Sequence, residues 1–296
     1  MLKSQVFAKK GLIVLLLLAG CQSGNTPQQD IAVKADEATE TINNAKKIFY
    51  SLPSPIETAM LIKTAGATYD EKLLNPLENV NNYTTNRTMA LNLGVYTTDL
   101  SFASLFEQTQ TTINYMSNVK KLAEGLGILD AIDNNTIKQL EENINNKDKI
   151  MDIISETFMS TSSFLKENDR AAIASVVLVG GWVEGLYIAT QLVNPNKIED
   201  NPLVKRIVDQ KLSMDIVFKL LNEYKEDKDV ASVLKDMYML KEVFDKIEIT
   251  SSKVEAKEEK NSDITMLDSD TKIKISPQTF KELAVKVANL RASYIK

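Results

Sequence analysis

Histidine is absent from all 296 residues. That removes Ser-His-Asp and Cys-His catalysis, histidine-ligated zinc and histidine acid–base chemistry together, since each needs an imidazole. Cysteine is nearly absent: Cys21 is the only one, so no internal disulfide can form. There is no cationic excess either. The formal net charge is −5, which argues against nucleic acid as a partner and against broad adhesion to anionic lipid heads. No glycine-rich phosphate loop and no dinucleotide fingerprint occurs. The run Asp268-Ser269-Asp270-Thr271-Lys272 begins like a calcium loop, but it has lysine where a ligand belongs and lacks the central glycine. Carboxylates, lysines, tyrosines and hydroxyls are left for chemistry. The expectation is a non-enzymatic protein with no cofactor and no metal.

The N-terminus carries the most specific signal. Lys3, Lys9 and Lys10 form a basic leader, Leu12 to Leu18 an apolar run, and Leu18-Ala19-Gly20-Cys21 follows at once. The run is too short for a permanent membrane span and fits a secretory signal. The four residues resemble the lipobox of type II signal peptides. In that family the cysteine thiol takes a diacylglycerol and cleavage falls just before it; an ordinary secretory signal with a chance cysteine is the plainer alternative. The resemblance implies a signal peptide over 1–20, a lipid on Cys21, and anchoring by two or three acyl chains where one would be marginal. It would also leave the mature chain with no free thiol for metal. Gln22 follows the cysteine where aspartate, in similar Gram-negative lipoproteins, tends to retain the protein at the inner membrane. Ser23 to Gln29 lacks the acidic run that resembles a surface-export signal in some Bacteroidota. Together these imply the outer membrane, facing the periplasm. Loss of the three leader lysines would leave 32 basic against 40 acidic residues.

Beyond a polar tether over 21–35, the remaining 36–296 reads as one helical domain. Prolines are few, seven in all, and they punctuate helices. Ser54-Pro55, Asn75-Pro76, Asn201-Pro202 and Ser276-Pro277 each put a capping residue before a proline at the first helical position. Ser54 with Glu57 has capping-box spacing, and Asn75 with Glu78 is an analogous pair. Apolar residues recur at helical spacing along Ile150, Ile154, Phe158, Thr161 and Leu165, and along Val230, Val233, Leu234, Met237, Leu240, Phe244 and Ile247. Phe280, Leu283, Ala284, Val287, Arg291 and Tyr294 form a third such stripe. These patterns predict helices over 36–51, 55–67, 76–82, 85–125 (broken), 134–146, 148–166, 169–193, 202–225, 228–248 and 277–294. The charged stretch 251–275 predicts either a small β-hairpin or a loop excursion, with the hairpin preferred.

Ala171 to Val193 is the most apolar part of the mature chain, with Glu184 its only charge. The uncharged run before Glu184 is 13 residues, short for a span, and Gly180, Gly181 and Gly185 weaken a lone helix. A central buried helix is the expectation, its glycines admitting neighbours closely. Glu184, beside Trp182 and Tyr187, reads either as a ligand anchor of raised pKa or as a rim residue or buried ion pair. Asn92, Tyr96 and Asp99 share one helical stripe. With Trp182 and Glu184 they make a candidate ligand cleft, against the plainer reading of an interhelical hydrogen-bond seam. Leu93 to Ala103, shifted by 86 residues, matches Val179 to Ala189 at glycine, aromatic, leucine and alanine positions, a faint sign of duplication.

Tyr50-Ser51-Leu52-Pro53-Ser54-Pro55 and Leu91 to Leu100 resemble helical lipoproteins of Bacteroidota to which no activity is attached. The resemblance implies an all-α domain in the envelope and transfers no site residue. The expected protein is therefore an all-α array of antiparallel helices packed around 169–193, tethered to the membrane through Cys21. Its partner would be another envelope protein or a small ligand. The alternative is a carboxylate-dependent hydrolase, with Asp99 and Glu184 as the pair and a cleft between helices.

Overall fold

A computed structural model describes residues 54–128, 134–143, 146–167, 170–251, 255–258, 265–268 and 271–296. The leader, Cys21, the tether and the helix expected over 36–51 lie outside these residues. Helix α1 (Pro55–Thr64) is followed by two 3-10 turns, Glu71–Leu73 and Leu77–Asn82, then α2 (Asn86–Leu105) and α3 (Thr109–Gly125). Next come α4 (Asn134–Glu142), α5 (Lys147–Glu167), α6 (Ala171–Gln191), α7 (Pro202–Glu223) and α8 (Lys228–Phe244). Four short strands, β1 (Glu248–Ser251), β2 (Glu255–Glu258), β3 (Thr265–Asp268) and β4 (Thr271–Lys274), precede α9 (Pro277–Tyr294). The architecture is all-α apart from that excursion.

Helix starts are set locally. Ser54 and Glu57 form the reciprocal capping box ahead of Pro55. Asn201 caps α7 through the Leu203 amide and Ser276 caps α9 through the Thr279 amide. Each satisfies an orphan donor of the first turn. The break in 85–125 falls at Phe106–Gln108. Glu107 takes a left-handed φ of 61°, while its amide and that of Gln108 return to the carbonyls of Ser104 and Ala103. This is a Schellman ending with glutamate in the usual glycine position, and so it is hard to place from composition.

Asn75 departs from expectation. It is not a helix cap, and Pro76 precedes the 3-10 turn with no side-chain cap. Residues 74–76 link the two 3-10 turns instead, with Leu74 and Asn75 buried.

Between α8 and α9 the strands pair as nested antiparallel ladders, β1 with β4 (Glu248 opposite Lys274) and β2 with β3 (Glu255 opposite Asp268). The excursion is thus a hairpin. It begins at Glu248, a little before the expected start, because α8 already ends at Phe244.

Helix α6 occupies the centre and touches α1, α2, α5, α7, α8 and α9. By length and mean hydropathy (1.7) it would pass for a membrane span, but 78% of that stretch is buried inside the domain. Its tightest neighbour is α2. A Cβ added to Gly94 would sit 2.0 Å from the Val177 carbonyl oxygen, and one added to Gly180 would sit 2.1 Å from that of Leu91. The backbones are therefore in direct contact at the crossing, which only residues without a side chain permit. The Thr98 hydroxyl lies between the carbonyls of Gly94 (3.1 Å) and Gly181 (3.2 Å) and stitches the helices together. The offset of 86 noted in the sequence relates Gly94 to Gly180 and Leu91 to Val177. Any helix pair crossing at such a point has local twofold character, so the relation does not require duplication.

Candidate functional site: a sealed polar cluster around a buried loop

Asn92, Tyr96 and Asp99 lie one turn apart on the same face of α2, as the stripe predicts. The structure adds Glu184 from α6, Arg291 from α9, Tyr115 and Asn118 from α3, and Tyr83 from the end of the second 3-10 turn. What they surround is the short link 74–76 between the two 3-10 turns, irregular in backbone and buried at Leu74 and Asn75, together with the turn ends Leu73 and Leu77. Buried amides and carbonyls must find partners, and here side chains supply them one by one. Arg291 Nη2 donates to the Leu73 carbonyl (3.0 Å). Asp99 Oδ2 accepts from the Asn75 amide (3.0 Å). Tyr115 donates to the Asn75 carbonyl (2.8 Å), Tyr96 to that of Pro76 (2.8 Å) and Asn118 to that of Leu77 (2.9 Å). The capping reading of Asn75 fails because Asp99 takes its amide and its side chain turns inward. There the Asn75 amide nitrogen reaches Tyr83 Oη (3.0 Å) and Asn92 Oδ1 (3.3 Å).

The charged centre is an ion pair. Arg291 Nε and Nη2 grip the two carboxylate oxygens of Glu184 at 2.9 Å each, and the guanidinium lies 4.5 Å from the Tyr187 ring centroid. Glu184 and Asp99 are 0% exposed and Arg291 is 7% exposed. Such bidentate geometry is what allows two charges to remain in an apolar interior. Burial opposes the charge on Arg291, but the Glu184 carboxylate outweighs it and the guanidinium holds its proton more firmly than usual. Asp99 behaves oppositely. Burial first, and then the negative charge of Glu184, push its carboxyl well above the usual range; Arg291 and the Asn75 amide only partly offset them. Burial likewise raises Tyr83, Tyr96, Tyr115 and Tyr187, and lifts Tyr69 to about 12.

The C-terminal end of α9 is tied to the same cluster. Asn92 Nδ2 donates to the Tyr294 carbonyl (2.8 Å) and Tyr83 to the Ile295 carbonyl (3.1 Å).

Of the five candidate cleft residues, Asn92, Tyr96, Asp99 and Glu184 therefore converge, but on a closed network and not on an accessible opening. Trp182 does not join them. Two residues before Glu184 it lies on the far side of α6, its Nε1 donating to Gln210 (3.0 Å) and its ring 6.3 Å from that of Phe244. The cavities lie elsewhere. One, of about 60 Å³, is lined mainly by Leu93, Leu100, Met116, Leu140, Ile154 and Val177. A smaller one, of about 30 Å³, lies beside Trp182 and Gly185. Among the described residues no group of three or more acidic side chains is placed to hold a metal ion.

Sequence reasoning missed Arg291 as the partner of Glu184, although an arginine within an otherwise apolar stripe was the available signal. It had no means of finding the buried turn at Leu74 and Asn75.

Comparison with known proteins adds no relative: no family model, no curated protein and no solved structure matches this chain.

Proposed function

We propose that this chain is a lipid-anchored envelope protein, attached through Cys21 to the outer membrane and facing the periplasm, that works as a binding or scaffold component. One observation carries the non-enzymatic side of this reading. The side chains with most chemical potential, Asp99 and Glu184, are committed to Asn75 and Arg291 in a closed interior. The lipobox-like Leu18-Ala19-Gly20-Cys21 carries the anchor. A protein partner is favoured over a small ligand by the outer face of α8 and α9. There Met239 and Val285 are 46% and 52% exposed and border an open recess with Lys281, Glu282 and Lys286. Grouped apolar side chains with a polar rim suit protein contact.

Cell fractionation of wild type and Cys21→Ala tests the anchor. The wild-type chain should sediment with membranes and take up labelled lipid, and the variant should do neither. Membrane retention and labelling of the variant would refute it. For the scaffold role, envelope proteins that co-purify with wild type should be lost from Val285→Asp; capture of the same set by both would count against this face. The carboxylate-hydrolase reading draws on the contact between Asp99 and Glu184. It requires the domain to open, and a hydrolytic activity abolished by Asp99→Asn would favour it.

A further inference from the structure

The two oxygens of Asp99 are treated unequally. Oδ2 accepts from the Asn75 amide. Oδ1 is fully buried and no N–H or O–H is directed at it. The side chain that Asp99 meets is the carboxyl of Glu184, whose two oxygens already accept from Arg291. Two acceptors can bond to each other only if one of them carries a hydrogen.

The charges around this contact are few. From α6 come Glu184 and Tyr187, from α9 Arg291, from α2 Tyr96 and from α3 Tyr115; the loop side contributes Tyr69, Asp70 and Tyr83. The tyrosines are neutral, and Asp70 is exposed. Among the described residues Arg291 is thus the one cation facing the two buried carboxyls. With one carboxyl protonated the sealed cluster is neutral; with both ionised it holds an uncompensated negative charge, which an interior of low polarity does not tolerate.

We propose that Asp99 and Glu184 together form a single-proton binding site, with the proton on Asp99 Oδ1, and that this proton latches helix α9 to the rest of the domain. The strain of ionisation is relieved by admitting water, and α9 is the boundary able to yield. The α2–α6 wall is held backbone to backbone at Gly94 and Gly180. On this side α9 is held by Arg291 and by the Tyr294 and Ile295 carbonyls, all members of the cluster. Loss of the proton therefore loosens the last turns of α9 first. This site is independent of the anchor and of the scaffold reading, and its test does not involve either.

The experiment uses the full chain. Infrared spectra taken two units above the ordinary aspartate pKa of about 3.9 should show one protonated-carboxyl band, absent from Asp99→Asn. Hydrogen exchange of the Pro277–Tyr294 amides is then followed with pH and corrected for the intrinsic rate. In wild type the opening of α9 should rise about tenfold per pH unit, one proton being linked to opening. It should level off where the infrared band disappears. Asp99→Asn, whose amide can donate to Glu184 without titrating, should show no such rise. Absence of the band from wild type would overturn the proposal, as would an α9 opening independent of pH, or one equally dependent in both chains. Should the variant not fold, the wild-type band and its coincidence with the end of the exchange slope decide alone.

Discussion

Replacing Gly94 by alanine tests the α2–α6 crossing on which the whole domain rests. The new Cβ would lie 2.0 Å from the Val177 carbonyl oxygen and 2.5 Å from the Gly181 amide nitrogen. An ordinary carbon–oxygen contact is about 3.3 Å or more, so the helices must part by roughly 1.3 Å. Both offending atoms are backbone, and no rotamer change can relieve them. A gap approaching 1 Å already forfeits about a quarter to a half of the dispersion attraction between facing atoms, and overpacking usually costs about 1–3 kcal/mol. With backbone on both sides the upper end applies. Alanine's better helix propensity returns about 1 kcal/mol. The net expectation is a loss of about 2 kcal/mol or more, read as a lower urea midpoint at unchanged slope by far-ultraviolet circular dichroism. Gly180→Ala, 2.1 Å from the Leu91 carbonyl oxygen, should cost a similar amount. The double variant should cost less than the sum, because both substitutions open the same gap. Gly125→Ala is the control: its neighbour is the Met89 sulfur at 2.7 Å, the end of a flexible side chain, and stability should change little. Equal stability of Gly94→Ala and wild type would refute the close backbone crossing.

Three further outcomes are expected. Glu184→Gln with Asp99→Asn leaves Arg291 buried without a counter-charge and should lower stability by about 3–5 kcal/mol, whereas Glu184→Leu with Arg291→Met should lose much less; equal losses in chemical denaturation would show that the pair is not sealed. Because the Asp99 pKa is raised on folding, the native state keeps a proton that the unfolded chain has released. Wild-type stability should therefore fall by about 1.4 kcal/mol per pH unit from the ordinary carboxylate range up to the folded pKa, then level. Asp99→Asn should lack this slope, and denaturation curves with parallel pH dependence would contradict it. Asp227→Ala removes the acceptor of the Asp229 and Val230 amides at the start of α8 and should lower the urea midpoint by an amount equivalent to about 1 kcal/mol; an unchanged midpoint would show that cap to be dispensable.

Much of the fold follows from short-range chemistry. Ser54, Asn201 and Ser276 ahead of proline start their helices as read, since a cap bonds an amide only two or three residues away. Ile150, Ile154, Thr161 and Leu165, and the stripes at 230–247 and 280–294, point inward because one side of a helix repeats every three or four residues, and the apolarity of α6 foretold its central place. The lipobox-like segment ending at Cys21 is also read wholly from adjacent residues, but it lies outside the described residues. Tertiary structure decided the rest. Asn75 carries every local mark of a cap, yet a carboxyl 24 positions away claims its amide. Glu184 meets Arg291 across 107 positions, and Trp182, its near neighbour in sequence, faces another helix altogether. Such pairings depend on how α2, α6 and α9 cross, which is fixed by backbone contact at Gly94 and Gly180 and by the unmet hydrogen bonds of residues 73–77. A sequence records which groups need partners; only the crossing of helices determines which partners come within reach.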